Sequence, residues 1–184
     1  MADPVVAAAM SAPSLDTLAV KIRLINTLNG WDVLQADDWE SQPHKVPAIL
    51  ALIHSEITEA YVELRYAEFD LAAVECADVL IRILDAVGAL TSNFDNLVKR
   101  VAVTQTAATP VWRTQLLDMH RDVTNALEAY RINDSQDFLL NLARLFARVD
   151  RFMVEELRVS PYETVSTKLE KNRKRGYRHG GKRA

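Results

Sequence analysis

Two acidic pairs are the residues of this sequence best suited to chemistry. The first pair is Glu56 and Glu59, and the second is Glu75 and Asp78. A spacing of three residues places both carboxylates of a pair on one face of a helix. If two such helices packed antiparallel, the four carboxylates would repel one another unless cations lay between them. Ligation by oxygen alone favours Mg²⁺ or Mn²⁺ over zinc or iron.

Two alternatives to such a metal site follow from the same residues. Acidic pairs at this spacing are common on exposed helix faces, but apolar runs at 49–53 and 79–81 flank these two. Unpaired acids on a buried face would be costly, so they need metal or cationic partners. A di-iron bundle needs Glu-x-x-His pairs, whereas His54 lies on a different face from Glu56.

Helices are the elements that must position these pairs, because no convincing alternating strand pattern is present. Gly30 is predicted to cap the first helix at its C-terminus, and Pro161 to open the last. Residues 31–44 lack a sustained period and are predicted to form a loop. Helices are predicted over 14–29, 46–66, 70–89, 93–103, 111–131, 135–157 and 161–175.

The predicted helices at 111–131 and 135–157 align with those at 46–66 and 70–89 when His54 is placed on His120, and no gap is needed. In this alignment the stretch 54–85 shares six identities with the second copy, which predicts an internal repeat. Chance similarity between amphipathic helices is the alternative. The four acids become Asp122, Asn125, Asn141 and Arg144 in the second copy. Because an arginine replaces one acid, we expect that the second copy does not bind the same ions.

Charge is divided unevenly along the chain, whose formal net charge is −3. Residues 168–184 contain eight basic residues and one acid, or +7, while the remainder has 14 basic and 24 acidic residues, or −10. A basic, glycine-containing end at 173–183 indicates contact with phosphate. A disordered solubilising end and nonspecific binding to nucleic acid are the alternatives.

Length and composition predict one all-α domain. The chain has 184 residues, 49% of them apolar, and we expect a disordered segment at 1–13, a domain at 14–175 and a basic tail at 176–184. The single cysteine, Cys76, excludes an internal disulfide and fits a reducing cytosol. The apolar stretch 5–13 is too short for a signal peptide or a membrane span, so we expect a cytoplasmic protein without a membrane partner.

Further residues connect this sequence to a known family. They are Gly30-Trp31, Asp38-Trp39, Lys45-Val-Pro47, the stretches 52–60 and 75–81, and the ending Lys168, Asn172, Arg175 and His179-Gly-Gly-Lys182. This series resembles the MazG-like all-α nucleoside triphosphate pyrophosphohydrolases, a superfamily that includes the dimeric dUTPases. Its mark is Glu-x-x-Glu followed, after a variable spacer, by Glu-x-x-Asp. The resemblance covers residues 20–90 and 160–182.

The resemblance implies cleavage of a nucleoside triphosphate to the monophosphate and pyrophosphate. Glu56, Glu59, Glu75 and Asp78 would hold Mg²⁺, for which Mn²⁺ could substitute. One carboxylate would act as general base, with Glu59 favoured over Glu56. Lys168 and Asn172 would contact the phosphates and the sugar. Arg175 and the tail after it, with Tyr177, His179 and Lys182, would fold over the phosphates.

Recognition of the base is less defined by the sequence. Asn26 resembles a family position that can read a base edge. Trp31 and Trp39 suit either base stacking or ordinary packing, and both interpretations stay open. Members of the family act on noncanonical triphosphates, dUTP, dCTP or dGTP. This short, tail-bearing chain looks like a phage-type member, which implies adjustment of a deoxynucleotide pool in a host cytoplasm.

The repeat and the resemblance together predict the architecture. A chain with both halves would form a MazG-like helical bundle as an internal pseudo-dimer, with half 14–105 catalytic, half 110–157 degenerate and a closing helix at 160–175. Related modules associate, so a homodimer is expected, and nucleic acid is not expected as a partner. The alternative function is a noncatalytic helical module that binds nucleic acid through its basic tail.

Overall fold

The described parts of the protein, residues 13–104 and 111–177 of a computed structural model, form eight helices and no strand. The helices are α1 (Leu15–Leu28), α2 (Asp38–Ser41), α3 (Lys45–Arg65), α4 (Phe69–Val87), α5 (Phe94–Thr104), α6 (Trp112–Arg131), α7 (Ser135–Glu155) and α8 (Pro161–Arg173). The all-α prediction is therefore confirmed for this part of the chain. The predictions for residues 1–12, His179 and Lys182 lie outside it.

The ends of α1 and the start of α8 follow from their capping residues. The hydroxyl oxygen of Ser14 accepts the N–H of Thr17 at 3.2 Å and begins α1. Ser160 caps α8 in the same way, with proline at the first helical position. Gly30 follows α1 with a φ of 79°, in the left-handed region that glycine adopts readily. These caps were all predictable from the sequence.

One prediction about the helices is wrong: the predicted loop at 31–44 contains the short helix α2. Contacts of two of its residues, Asp38 and Trp39, stabilise it there. Asp38 accepts the backbone N–H of Gln35 and the ammonium of Lys45, each at 2.6 Å. The Trp39 ring makes edge contacts with Tyr130 and Phe138, at centroid distances of 4.8 and 5.0 Å. Packing between distant segments therefore forms this helix, and local periodicity does not reveal it.

The core lies where two helical hairpins meet. One hairpin is α3 with α4 and the other is α6 with α7, and α3 packs on α6 while α4 packs on α7. α1 and α8 cover other faces of α4, and side chains such as Ile83, Leu84 and Phe152 have no exposed surface. Each such side chain contributes about 1.5–3 kcal/mol by leaving water. This packing fixes the acidic pair of α4 between α3 and α8.

The two hairpins correspond in the alignment that places His54 on His120. Each hairpin turns through one residue in the left-handed conformation, Ala67 with a φ of 61° and Asn133 with a φ of 59°. Where α3 crosses α6, the two aligned histidines meet. Their rings stack with centroids 4.9 Å apart and planes inclined by 15°. Equivalent residues of the two stretches therefore face each other where the two hairpins pack together.

No helix within the described residues combines the length and the apolar character needed to cross a bilayer.

Candidate metal and phosphate site

Three of the four predicted carboxylates meet between α3 and α4. Glu56, Glu75 and Asp78 each offer an oxygen atom within 4.8 Å of the other two. Glu56 is only 8% exposed, and the other two are partly buried. The spacing of three residues on α4 places Glu75 and Asp78 on one face, and the hairpin brings Glu56 against that face. The expected convergence of acids from two helices is present in the structure.

Two cationic side chains already pair with this cluster. Arg82 donates to Glu56 Oε1 from Nε at 3.3 Å and from Nη2 at 3.2 Å. Lys168 reaches in from α8, with its Nζ 2.5 Å from Asp78 Oδ2. The carboxylate of Glu75 accepts no hydrogen bond from any residue in the described part of the chain. Three carboxylates are thus balanced by two cations, and Glu75 is the one left over.

Burial and neighbouring charges raise the pKa of two carboxyl groups of this cluster. Burial raises the pKa of Glu75 to about 7; Lys168 opposes this effect, and Asp78, Glu56 and Glu59 add to it. Burial also raises the pKa of Glu56; Asp78 increases it further and Arg82 opposes it. Burial disfavours the ionised form of these carboxyl groups, whereas a cation bound beside them would stabilise that form. The electrostatics of the cluster therefore suit a positively charged ligand.

The donor set fits a hard divalent ion. All three side chains supply carboxylate oxygen, the preferred ligand of Mg²⁺ and Mn²⁺. Oxygens around Mg²⁺ lie about 2.0–2.1 Å from the ion, so opposite ligands are about 4.2 Å apart. Atoms already within 4.8 Å of one another need only small side-chain rotations to reach that spacing. Glu56, Glu75 and Asp78 are the residues that would hold the ion.

The fourth predicted ligand, Glu59, lies outside this group. It is exposed on α3, and its Oε1 accepts the hydroxyl of Ser55 at 3.0 Å. Its charge still acts on the cluster, because it contributes to the raised pKa of both Glu56 and Glu75. Glu59 is therefore a close neighbour of the three converging carboxylates and not a member of their group.

The C-terminal end of α8 lies against the end of α1. Asn172 is buried, and its backbone oxygen accepts the side-chain amide of Asn29 at 3.0 Å. The side-chain oxygen of Asn172 is buried without a hydrogen-bond partner. Arg175 donates its backbone N–H to the Asn172 carbonyl at 3.0 Å. Lys168 thus lies at the acidic cluster, whereas Asn172 and Arg175 lie one to two turns further on.

Tyr177, the last residue described, packs on the turn after α1. A Cβ added to Gly30 would lie 2.0 Å from the Tyr177 ring, so only glycine allows this close approach. The positive φ of Gly30 also favours glycine at this position. The beginning of the basic tail is therefore directed towards the loop that follows α1.

The residues considered for base recognition have different surroundings. The amide of Asn26 donates to Asp85 Oδ2 at 3.0 Å, on the face of α4 that also carries the acidic pair. Trp31 is partly buried, and its backbone N–H donates to the Asn26 carbonyl at 3.0 Å. Trp39 packs against α6 and α7, and its indole N–H donates to Asn133 Oδ1 at 2.6 Å. Its contacts are those of a packing residue.

Sequence reasoning missed Arg82 and Asp85. Both continue the face of α4 that begins with Glu75 and Asp78, at spacings of three, four and three residues. That helical periodicity is the signal that could have identified them. Burial raises the pKa of Asp85, and the hydrogen bond from Asn26 opposes this effect. One face of α4 thus carries a continuous polar strip through the core.

The equivalent region of the second hairpin has a different composition. Arg148 donates to Asp122 Oδ2 at 2.9 Å, which matches the Arg82–Glu56 pair in the alignment of the two hairpins. Arg144 donates to Asn141 Oδ1 at 3.0 Å. Within the described residues, no group of three acids converges there. The second hairpin keeps the arginine–carboxylate pair, and Asn141 bonds to Arg144 and to Asp137.

No protein-family model, curated protein or solved structure matches this chain.

Proposed function

We propose that this protein is a metal-dependent nucleoside triphosphate pyrophosphohydrolase. The observation that carries the proposal is the convergence of Glu56, Glu75 and Asp78 beside Lys168. A triphosphate is strongly anionic and can approach three carboxylates only if cations separate the charges. A site with acids for the ion and a lysine for phosphate has both components that this reaction needs. The motif resemblance to MazG-like enzymes supports the same assignment.

The proposed reaction is hydrolysis between the α- and β-phosphates. When bound, Mg²⁺ supplies neutralisation of the phosphate charge and activation of water. We assign the role of general base to Glu59; its exposed position beside the cluster supports this choice. The water oxygen bonds to the α-phosphorus as the bond to the bridging oxygen breaks. The electron pair of that bond leaves with pyrophosphate, and the products are the monophosphate and pyrophosphate.

Lys168 has a positioning role in this proposal. Without substrate its ammonium compensates Asp78, at 2.5 Å and mostly buried. If Asp78 held an ion, the Lys168 ammonium could donate to a phosphate oxygen instead of to Asp78. In this proposal the same side chain both stabilises Asp78 and binds the substrate. Asn172 follows Lys168 by one helical turn. Its side-chain amide oxygen is buried without a hydrogen-bond partner and is an acceptor suited to a sugar hydroxyl.

We also propose that the chain is an internal pseudo-dimer of the MazG-like type. Matching turns at Ala67 and Asn133 and the facing His54 and His120 rings support this interpretation. In it, the first hairpin carries the single reaction site and the second supplies the packing partner. A role in adjusting the deoxynucleotide pool follows from the resemblance, as does a preference for deoxynucleoside triphosphates.

Release of pyrophosphate from a panel of triphosphates tests the proposal. With Mg²⁺ we expect turnover of at least one deoxynucleoside triphosphate, and a loss of at least about 100-fold in Glu75→Gln. Glu128→Gln is the matched control, because Glu128 is an exposed acid of the second hairpin that pairs with Arg131. Equal turnover in Glu75→Gln and the control would refute the catalytic role of the cluster. Binding of DNA by a protein without turnover would favour the noncatalytic module.

A further inference from the structure

The two cations that pair with the acidic cluster, Arg82 and Lys168, differ in how they would meet a bound ion. Both hydrogen bonds from Arg82 to Glu56 go to one oxygen, Oε1, so this pair leaves the second oxygen to another ligand. Lys168 instead places its ammonium 2.5 Å from Asp78 Oδ2, and the two side chains are only 11% and 18% exposed. Lys168 is therefore the cation that occupies the place of an ion at Asp78.

Comparison of the two hairpins separates these cations further. The second hairpin has its own arginine–carboxylate pair, Arg148 with Asp122, although no group of three acids converges there within the described residues. Such a pair therefore accompanies the hairpin itself and does not depend on the acidic cluster. At the position of Asp78 the second copy has Arg144, so it has no acid there for a lysine to balance. The contact of Lys168 belongs to the cluster alone.

The ammonium and a divalent ion cannot both remain at Asp78. Ligand oxygens lie about 2.1 Å from Mg²⁺, so an ion on Asp78 Oδ2 would be no more than about 4.6 Å from the ammonium in its present position. Positive charges at that separation repel strongly when both are mostly buried. Lys168 must therefore leave Asp78 when an ion binds, and the loss of this ion pair opposes metal binding.

A cleft of about 520 Å³ between α4 and α8 can receive the displaced ammonium. Lys168 lines this cleft and also contacts the cluster. Two acids, Asp70 and Glu163, and two further basic residues, Arg158 and Lys171, line it too, and all four are exposed. Their charges cancel, so the cleft does not repel an arriving cation. The lysine side chain is flexible, so this exchange requires no movement of α8.

We propose that Lys168 is a displaceable counter-ion that lowers the affinity of the acidic cluster for a divalent ion. This inference rests on the metal site of the proposed function and identifies a residue that sets its affinity. Removal of the ammonium should then tighten metal binding. A lysine that only held α8 against α4 would have the opposite effect, because its loss would leave the carboxylates less well positioned.

Binding of Mn²⁺ to the full chain without nucleotide, followed by electron paramagnetic resonance, tests the inference. We expect the dissociation constant to fall about 10- to 100-fold in Lys168→Met, because Asp78 then accepts the ion without losing a partner. Lys171→Met is the matched control, since it removes the same charge from an exposed position on the same helix, and it should stay within about twofold of the wild type. Lys168→Arg keeps the charge and should bind Mn²⁺ no more tightly than the wild type.

Urea unfolding supplies a second measurement. In EDTA, Lys168→Met should be less stable than the wild type, because Asp78 loses its partner. Saturating Mg²⁺ should stabilise the variant more than the wild type, since tighter binding to the folded state gives a larger gain in stability. If the variant is unfolded in EDTA, Mg²⁺ should restore its folding.

The remaining outcomes contradict the inference or separate it from the proposed function. Mn²⁺ binding that is unchanged or weaker in Lys168→Met, or equally tightened in Lys171→Met or Lys168→Arg, overturns it. So does a Lys168→Met protein that stays unfolded with Mg²⁺. Absence of Mn²⁺ binding in both the wild type and Lys168→Met overturns it together with the metal site. Tighter binding in Lys168→Met, in a protein that hydrolyses no triphosphate, leaves the inference standing and refutes the proposed function. Hydrolysis by the wild type, with Mn²⁺ affinity unchanged in Lys168→Met, gives the reverse result.

Discussion

Glu75→Gln is expected to stabilise the metal-free protein, although it removes a proposed metal ligand. Glu75 has no cationic partner of its own, and its pKa is raised from 4.5 to about 7. When folding raises the pKa of a carboxyl group, its protonated form stabilises the folded state. This contribution is complete at pH values below the pKa in the unfolded chain, 4.5. That contribution is lost as pH rises through 7, because ionisation then costs more in the folded protein. Glutamine keeps the shape and removes this cost.

The magnitude follows from the two pKa values. The interval from 4.5 to about 7 corresponds to roughly 3 kcal/mol at about 1.36 kcal/mol per pH unit. Glu75 is only partly buried, so solvent screening reduces the expected effect to about 1–2 kcal/mol. In EDTA we therefore expect Glu75→Gln to unfold at higher urea than the wild type at pH 8, with a much smaller difference at pH 5.

Urea unfolding at both pH values, with EDTA or with Mg²⁺, is the assay. Mg²⁺ should stabilise the wild type at pH 8 and have little effect on Glu75→Gln, because binding to the folded state alone raises stability. The control Glu128→Gln, an exposed acid, should follow the wild type under all four conditions. A Glu75→Gln protein less stable than the wild type at pH 8 in EDTA would refute the reasoning.

Three further predictions concern packing and protonation. Trp39→Ala removes the ring contacts and should lower the free energy of unfolding in urea by about 2–4 kcal/mol, with kcat/KM unchanged. A loss of kcat/KM without a loss of stability would favour base stacking. Gly30→Ala should lower the free energy of unfolding by about 1–2 kcal/mol, and adding Tyr177→Ala should restore part of this loss. Equal stability of Gly30→Ala and the wild type would contradict the close approach of Tyr177 to Gly30. Burial lowers the pKa of both His54 and His120, so their neutral forms contribute stability that is lost as pH falls below about 6.5. His120→Gln should reduce that loss in unfolding measured between pH 7 and pH 5, and an unchanged pH dependence would contradict it.

The long helices were predictable because each carries its own amphipathic period, and the side chains of Ser14, Asp134 and Ser160 cap three of them. Ser14, Gly30 and Pro161 mark ends that the structure places within a residue or two of the expected positions. The helix α2 was not predictable, because it depends on contacts of Trp39 with Tyr130 and Phe138, which are far away in the chain. Local sequence patterns therefore reveal amphipathic helices and capping residues, but not contacts between distant segments.

The same distinction applies to the site. The spacing of Glu75 and Asp78 was sufficient to predict that both lie on one face of a helix. Sequence alone could not indicate that Glu59 bonds to Ser55, apart from the three carboxylates that converge. Nor could it show that Lys168 would contact Asp78, because that pair depends on how α8 packs against α4. Side-chain partners across helices are set by tertiary packing.

Binding of Mn²⁺, followed by electron paramagnetic resonance, tests the central claim most directly. The convergence of Glu56, Glu75 and Asp78 predicts that the wild type removes free Mn²⁺ from solution and that Mg²⁺ competes for the same site. Glu56→Gln with Glu75→Gln in one chain should leave the free Mn²⁺ signal unchanged, while Glu128→Gln should bind as the wild type does. Undiminished Mn²⁺ binding in the double variant would contradict the account.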